Sequence, residues 1–397
     1  MSRSLTILAA VLLLAAASTR SEAAGPEPLR LAAPIETWDE GVPLGNGLTG
    51  GLLWGAGNTI HLSLDRGDLW DERRPEEVRK PDWTWDTIRK LKAAGNQKEI
   101  SRRFDRPYSQ IPHPTKLPGG RLVLTLEADR TAESFELDLS RALGRVRLTN
   151  GALTCFFSAV RPVAMVRVPG SVTTEIRRPA GLDKLGYDPA KTGRADGVTW
   201  MVQTAAEGLV YAIVVAARSD GEDTLLAVAI TSNRDGDDPL AIGKRRVGEA
   251  LEAGFDTLLA PHEKWWSDFW SISNVSIPAP RLQRHYDFVK YLYGAGSRAG
   301  APPMPLQGVW TRDDGGLPPW KGDFHHDLNT QMTYLAAHAA GLVDAERSFL
   351  DRQWELLPVY RAFARDFYGV EGAAVPGVAT LAGRATGGWS QYSLSPT

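Results

Sequence analysis

The chain has a single cysteine, Cys155, so an intrachain disulfide is excluded. Cys155 lies in the apolar run Leu153-Thr154-Cys155-Phe156-Phe157, where it reads as a buried strand residue. Without cysteine pairs, ligands for a zinc-type site would have to come from the seven histidines. Their one close pair is His325-His326, and adjacent side chains point apart on either regular element. No metal and no other cofactor is therefore expected. Basic runs are also missing. A net charge of −2 gives nothing for nucleic acid or an anionic membrane surface to bind. A phosphate-cradling glycine loop is absent too, because Gly45-Asn46-Gly47 leads into strand-like sequence and not into a helix. Beyond the N-terminus no stretch is apolar enough to cross a membrane. Low-complexity segments and short repeats are lacking.

What is present begins with an export signal. Met1-Ser2-Arg3 is basic, residues 5–17 are apolar, and Ser21-Glu22-Ala23 offers small residues for cleavage. Residues 1–23 are thus expected to be a signal peptide. The remainder is expected in the periplasm or outside the cell, with no membrane attachment after cleavage. No cysteine follows the apolar run to carry a lipid. Stability must then come from the core alone, and 43% apolar residues with 13 Trp can supply it.

Residues 24–245 read as a large antiparallel β-sandwich domain. Short β-rich runs at 52–54, 60–64, 121–126, 163–168, 214–217 and 225–231 are bounded by turn glycines. A Lys- and Arg-rich surface helix is expected to interrupt them at 85–104. Residues 246–300 read as a helical linker, with helical spacing over 247–269, a strand-like piece at 275–277 and a second helix at 282–293. From 301 to 397, loops alternate with helices. A helix is expected at 330–340, stopped by Gly341. Asp344 is a candidate cap for the next helix, Pro358 is expected to kink it, and a glycine-rich, loop-like tail follows from 374. The class is multidomain β + α.

The densest polar and aromatic sequence is Gln307-Gly308-Val309-Trp310 together with residues 318–332. It lies in loops before a helix, where sites are commonly built. If 325–329 is extended, His325, Asp327 and Asn329 line one wall of a cleft. A carboxylate beside an amide suits a bound water, since Asp accepts its proton and Asn fixes its orientation. Asn329 suits an N-cap of the adjoining helix as well. Trp310 and Trp320 have the shape to stack on a sugar ring, and equally the shape of core residues. Asp65, Asp68 and Asp71 hint at calcium but lack the remaining ligands of a dedicated loop. Asn274-Val275-Ser276 matches a glycosylation sequon.

Several segments together resemble glycoside hydrolase family 95, the α-L-fucosidase and α-L-galactosidase family. Residues 38–47 (WDEGVPLGNG) are similar to its W-x-E-A-L-P-L-G-N-G opening, and residues 64–70 (LDRGDLW) to its L-N-E-D-T-L-W. Residues 135–142 (FELDLSRA) are similar to its R-x-L-D-L-x-x-A strand. Residues 305–310 (PLQGVW) and 329–334 (NTQMTY) resemble N-L-Q-G-I-W and N-x-Q-M-N-Y. The resemblance implies a β-sandwich, a helical linker and an (α/α)6 barrel of which 301–397 is the start. It implies an inverting exo-hydrolase that removes terminal α-L-fucose or α-L-galactose from glycans. It also implies that an H-x-N-x-N motif orients the attacking water, with an Asp and a Glu later in the barrel as base and acid.

Here that motif reads His325-x-Asp327-x-Asn329, so Asp stands where the family usually has Asn. Asp327 and Asn329 are the candidate catalytic residues. His325, Trp310, Trp320 and Gln307 are the candidate substrate ligands. The departure at 327 makes Asp327 itself a candidate base, or a ligand for a different sugar hydroxyl. Twelve helices with short loops need about 200 residues, so residues 301–397 are expected to form an incomplete barrel with exposed, aggregation-prone helix faces. Two other readings stand beside hydrolysis: a non-catalytic carbohydrate-binding fragment, and a sandwich-plus-barrel hydrolase or phosphorylase of other glycosides.

Overall fold

The computed structural model describes residues 25–388, so the expected signal peptide lies outside the described residues. Two antiparallel sheets face each other. The larger has nine strands, in the order Leu29–Ala32, Ala132–Asp138, Leu143–Leu148, Ala152–Phe157, Ala164–Pro169, Asp223–Ser232, Val210–Asp220, Val198–Thr204 and Lys191–Ala195. The smaller has five, in the order Val172–Arg177, Gly120–Leu126, Thr59–Arg66, Thr49–Ala56 and Val42–Gly45.

Strand alternation builds two cores from one sheet. In Val210–Asp220, Tyr211, Ile213 and Val215 point into the space between the sheets, and in Asp223–Ser232 Leu226, Val228 and Ile230 do the same. Their neighbours Ala212, Val214 and Ala216, with Leu225, Ala227 and Ala229, point the other way. There they meet Val247, Ala250 and Leu251 of helix Pro239–Ala253. A sheet covered on both faces needs apolar residues at every position, which is why these strands read as continuous runs and not as alternations. Cys155 is buried in the inter-sheet core.

Several local expectations are corrected. The helical spacing over 247–269 belongs to two helices, Pro239–Ala253 and Phe255–Ser271, separated by Gly254. The first starts where Asp238 accepts the amide of Ala241 at 2.9 Å. Residues 275–277 pair with no strand, because the chain runs along the surface there with Val275 exposed. The surface helix expected at 85–104 is broken into Trp85–Ala93 and Gln97–Ile100, each with its own cap, from Thr84 and from Asn96. Its inner side is buried: Ile88, Ile100 and Phe104 pack with Trp83 and with Phe367 of the C-terminal segment.

Helix Pro280–Gly296 joins the sandwich to the C-terminal helices. Tyr291 donates to the carbonyl of Pro43 at 2.7 Å and stacks on Trp266. The Gly47 amide donates to the Ala295 carbonyl, also at 2.7 Å. A Cβ on Gly45 would lie 2.5 Å from that same oxygen, so backbone meets backbone where only glycine leaves room.

Among the described residues, three α-helices follow in the C-terminal region, Asn329–Ala339, Val343–Glu355 and Leu357–Phe363, the last continued by a wider helical turn over Ala364–Tyr368. The first is pinned by Tyr334, whose hydroxyl accepts the Met304 amide at 2.7 Å and meets Ser297 and Ser348. Asp344 sits inside the first turn of its helix without capping it, and Pro358 opens a new helix instead of kinking the old one. The tail is not wholly loop, since Val378–Ala379 pairs with Phe324–His325. Leu328, in the turn before the first of these helices, and Met332, Leu335 and Trp354 on the helices lie exposed. The order is a sandwich and then helices, the β + α class expected from the sequence. No described helix is long and apolar enough to cross a membrane.

Candidate active site

The segment before helix Asn329–Ala339 is set by an unusual turn. Trp320, Lys321 and Gly322 have φ values of +53°, +57° and +58°, one after another in the left-handed region. For the two non-glycine residues this costs about 1–2 kcal/mol each. Contacts from the sandwich side hold the turn. Lys321 donates to the Ile111 carbonyl at 2.6 Å and lies over the Tyr108 ring, and Thr115 donates to the Lys321 carbonyl at 3.1 Å. A Cβ on Gly322 would meet the Cβ of buried Lys116 at 2.9 Å. The turn leaves Trp320 56% exposed, with its ring edge-on to His325.

Behind Trp320 sits a buried polar group of residues. Asp323 is fully buried, accepts the Tyr108 hydroxyl at 3.0 Å and lies 2.8 Å from Nε2 of His325. Burial pushes the Asp323 carboxyl above its usual range, with His325, Tyr108 and Lys321 pulling it back. Burial lowers the Lys321 ammonium to about 8, against the pull of Asp323 and Asp71. His326 points the opposite way. It stacks on Phe324 and tilts against Phe349, and burial lowers its imidazole to about 4, so it is neutral at pH 7.

The extended run expected over 325–329 is not formed. Strand pairing ends at His325, residues 326–328 turn, and the helix starts at Asn329. The amides of His326 and Asp327 both reach the Gly377 carbonyl, while Gln331 donates to the His326 carbonyl at 2.6 Å. Asn329 is not an N-cap, because Leu328 occupies that position and no side chain caps the helix. Asp327 and Asn329 are both exposed at the helix start, on the solvent side of the buried His325–Asp323 pair.

Trp320 and His325 are thus brought together, with Asp327 and Asn329 a short way along the same segment. Trp310 and Gln307 are employed differently. Trp310 donates to the Leu44 carbonyl at 2.8 Å and packs on the sandwich core, and Gln307 accepts the Thr311 hydroxyl at 3.2 Å.

Asp65, Asp68 and Asp71 each face a basic side chain: Lys116 at 2.5 Å, Arg66 at 2.6 Å and Arg73 at 2.6 Å. These pairs spend the carboxylates on holding strands, and no grouping of metal-binding side chains occurs among the described residues.

Sequence reasoning missed Tyr108, Lys321, Asp323 and Glu72. Asp323 and Lys321 stand inside the dense segment, but only Asp327 carries a motif. Glu72 follows the strand containing Trp70, whose ring stacks on Phe324. Its Oε1 accepts the Ala382 amide at 2.9 Å, and burial raises its pKa.

The fold is a β-sandwich followed by helices. A model of the glycosyl hydrolase family 65 N-terminal domain matches residues 29–237, and a model of the glycosyl hydrolase family 95 catalytic domain matches residues 278–397. The sandwich thus belongs to the glycosyl hydrolase family 65 N-terminal domain family, and the C-terminal part is similar to the family 95 catalytic domain. It is 20% identical to an α-L-fucosidase 2 of Arabidopsis thaliana, over 87% of this chain and 51% of that one. It is 40% identical to a probable α-fucosidase A of Aspergillus niger over 14% of this chain and 7% of that one. A solved structure of a putative kojibiose phosphorylase from the human microbiome superposes with a TM-score of 0.59 at 13% identity, covering 92% of this chain and 51% of that chain. The chain therefore spans about half the length of the Arabidopsis relative and of this structure.

Proposed function

We propose that this chain contributes the water-activating side of an exported, inverting exo-glycosidase acting on terminal α-L-fucose or α-L-galactose. The observation that carries the reading is the segment 320–329. An exposed aromatic ring stands against a histidine fixed by a buried carboxylate, and an open carboxylate and amide come next at a helix start. Trp320 offers an apolar face to the sugar, and His325 a donor to a ring hydroxyl. Asn329 orients a water and Asp327 takes its proton as the water oxygen bonds to the anomeric carbon. The glycosidic C–O bond breaks, and a second carboxylic acid protonates the leaving oxygen across the sugar. Asp323 is not placed for that second role, being fully buried behind His325. The names of the α-fucosidase relatives support fucose as the sugar. The likeness to the phosphorylase is one of fold, and it does not favour phosphorolysis.

The test is hydrolysis of aryl α-L-fucosides and α-L-galactosides, monitored by proton NMR. The β-anomer is expected to appear first, at a rate indifferent to inorganic phosphate. Asp327→Ala is expected to lower kcat by a factor of about 100 or more. An unchanged rate removes Asp327 from the chemistry. Sugar binding without turnover by the native chain makes it a binding module instead.

A further inference from the structure

A cleft lies between the sandwich and the loop that precedes Trp320. It encloses about 470 Å³, enough for a sugar ring and within the range of small-molecule sites. One wall is the N-terminal turn carrying Glu36, Trp38 and Asp39, and the opposite wall is the loop carrying Asp313 and Pro319.

The floor is fixed by a chain of contacts. Trp54 Nε1 donates to Ser63 Oγ at 2.8 Å, and Ser63 donates to Asp313 Oδ2 at 2.6 Å. Arg121 Nε donates to the same carboxylate at 2.7 Å while its guanidinium lies 4.8 Å from the Trp54 ring centroid. A second Arg121 nitrogen, Nη2, donates to the Asp313 carbonyl. That leaves Nη1 without a protein acceptor among the described residues. Glu36 and Asp39 are exposed on the rim, and neither forms an ion pair or a side-chain hydrogen bond among the described residues. Trp38 is half-buried beside them.

The cleft therefore offers the Trp38 ring, the Arg121 guanidinium and the exposed carboxylates of Glu36 and Asp39, beside an Arg312–Asp314 ion pair that also lines it. Mixed donors and acceptors around an aromatic suit a neutral, hydroxyl-rich ring. Pro319 lines the cleft and is bonded directly to Trp320, so cleft and candidate active site share one loop. We infer that this cleft binds a saccharide unit on the leaving-group side of the glycan, an inference that rests on the glycosidase reading above.

Lactose, methyl α-L-fucoside and α-L-fucosyl-(1→2)-lactose are the probes, titrated calorimetrically into the full chain and into the double variant Glu36→Gln, Asp39→Asn. These two side chains are exposed, so the fold is expected to survive, and a matching circular dichroism melt checks it. The variant is expected to bind lactose and fucosyllactose about five- to tenfold more weakly, as the loss of charge-assisted hydrogen bonds implies. It is expected to bind methyl α-L-fucoside as the native chain does. Equal weakening for all three ligands, or none, overturns the inference. If the native chain binds lactose in this variant-sensitive way but neither fucoside, the cleft stands and the fucosidase reading fails. If it binds the fucosides but not lactose, and the variant changes nothing, the cleft fails alone.

Discussion

Trp310 and Trp320 belong to one connecting segment and look alike in sequence, each near Gly and Pro and each suited to stack on a sugar. The structure assigns them opposite tasks. Trp310 turns inward, gives its indole N–H to Leu44 and packs on the sandwich. Trp320 turns outward, held there by a left-handed backbone that the residues around Tyr108 and Thr115 keep in place. The difference is one of backbone sign and hydrogen-bond partner, and neither is written in the residue type. An aromatic on a strained, exposed turn is kept there against a conformational cost, whereas an aromatic with a satisfied N–H in a core lowers the energy of the fold.

Substitutions can break this contrast. Trp310→Ala is expected to have the largest effect on stability, about 3 kcal/mol, through lost packing and an unpaired Leu44 carbonyl. A denaturant midpoint that hardly moves would show that Trp310 is no anchor. Asp323→Ala should cost about 2 kcal/mol, because it strands the Tyr108 hydroxyl and His325 in a buried place. Tyr108→Phe in the same background should then add little, and a fully additive double mutant would sever the proposed link.

Trp320→Gly should go the other way on stability, raising it by up to about 1 kcal/mol as the positive φ becomes free of strain. Sugar binding should weaken at the same time, and a lower melting temperature would contradict the strain argument. A further effect concerns pH. The His326 pKa falls to about 4 in the folded state, from 6.5, so the native state binds fewer protons there. The stability it contributes is complete above pH 6.5 and is lost as the pH falls toward 4. His326→Phe should flatten that part of the acid limb in urea titrations at successive pH values. An unchanged slope would assign the limb to other groups, such as His262, which burial also lowers to about 4.

Much of the architecture is legible in the sequence because it rests on local patterns. The strands announce themselves by β-branched runs between glycines, and Gly341 marks a helix end at the right place. The broken helices are not legible, because Gly254 and Gly95 interrupt patterns whose apolar spacing continues across them. The site is legible as a segment but not as a geometry. Alternation puts His325, Asp327 and Asn329 on one extended wall, yet the turn at 326–328 depends on the Gly377 carbonyl, which is remote in sequence. Tyr108 and Asp323 cannot be paired from spacing, since a contact between an insertion of the sandwich and a distant loop leaves no periodic trace. The two positive-φ residues before Gly322 are likewise invisible, because Trp and Lys carry no left-handed preference.

The seam at Gly45 and Gly47 reaches beyond packing. Where the Ala295 carbonyl sits against main chain, no side chain intervenes at that contact, so surface substitutions cannot adapt this point of the seam to a new partner. Exchanging this sandwich for one from a related enzyme would require its glycines to arrive in the same register. The two parts of this chain are expected to be inherited together, as a single heritable unit, and chimeras cut between them should express poorly unless the P-L-G-N-G loop travels with its own helix.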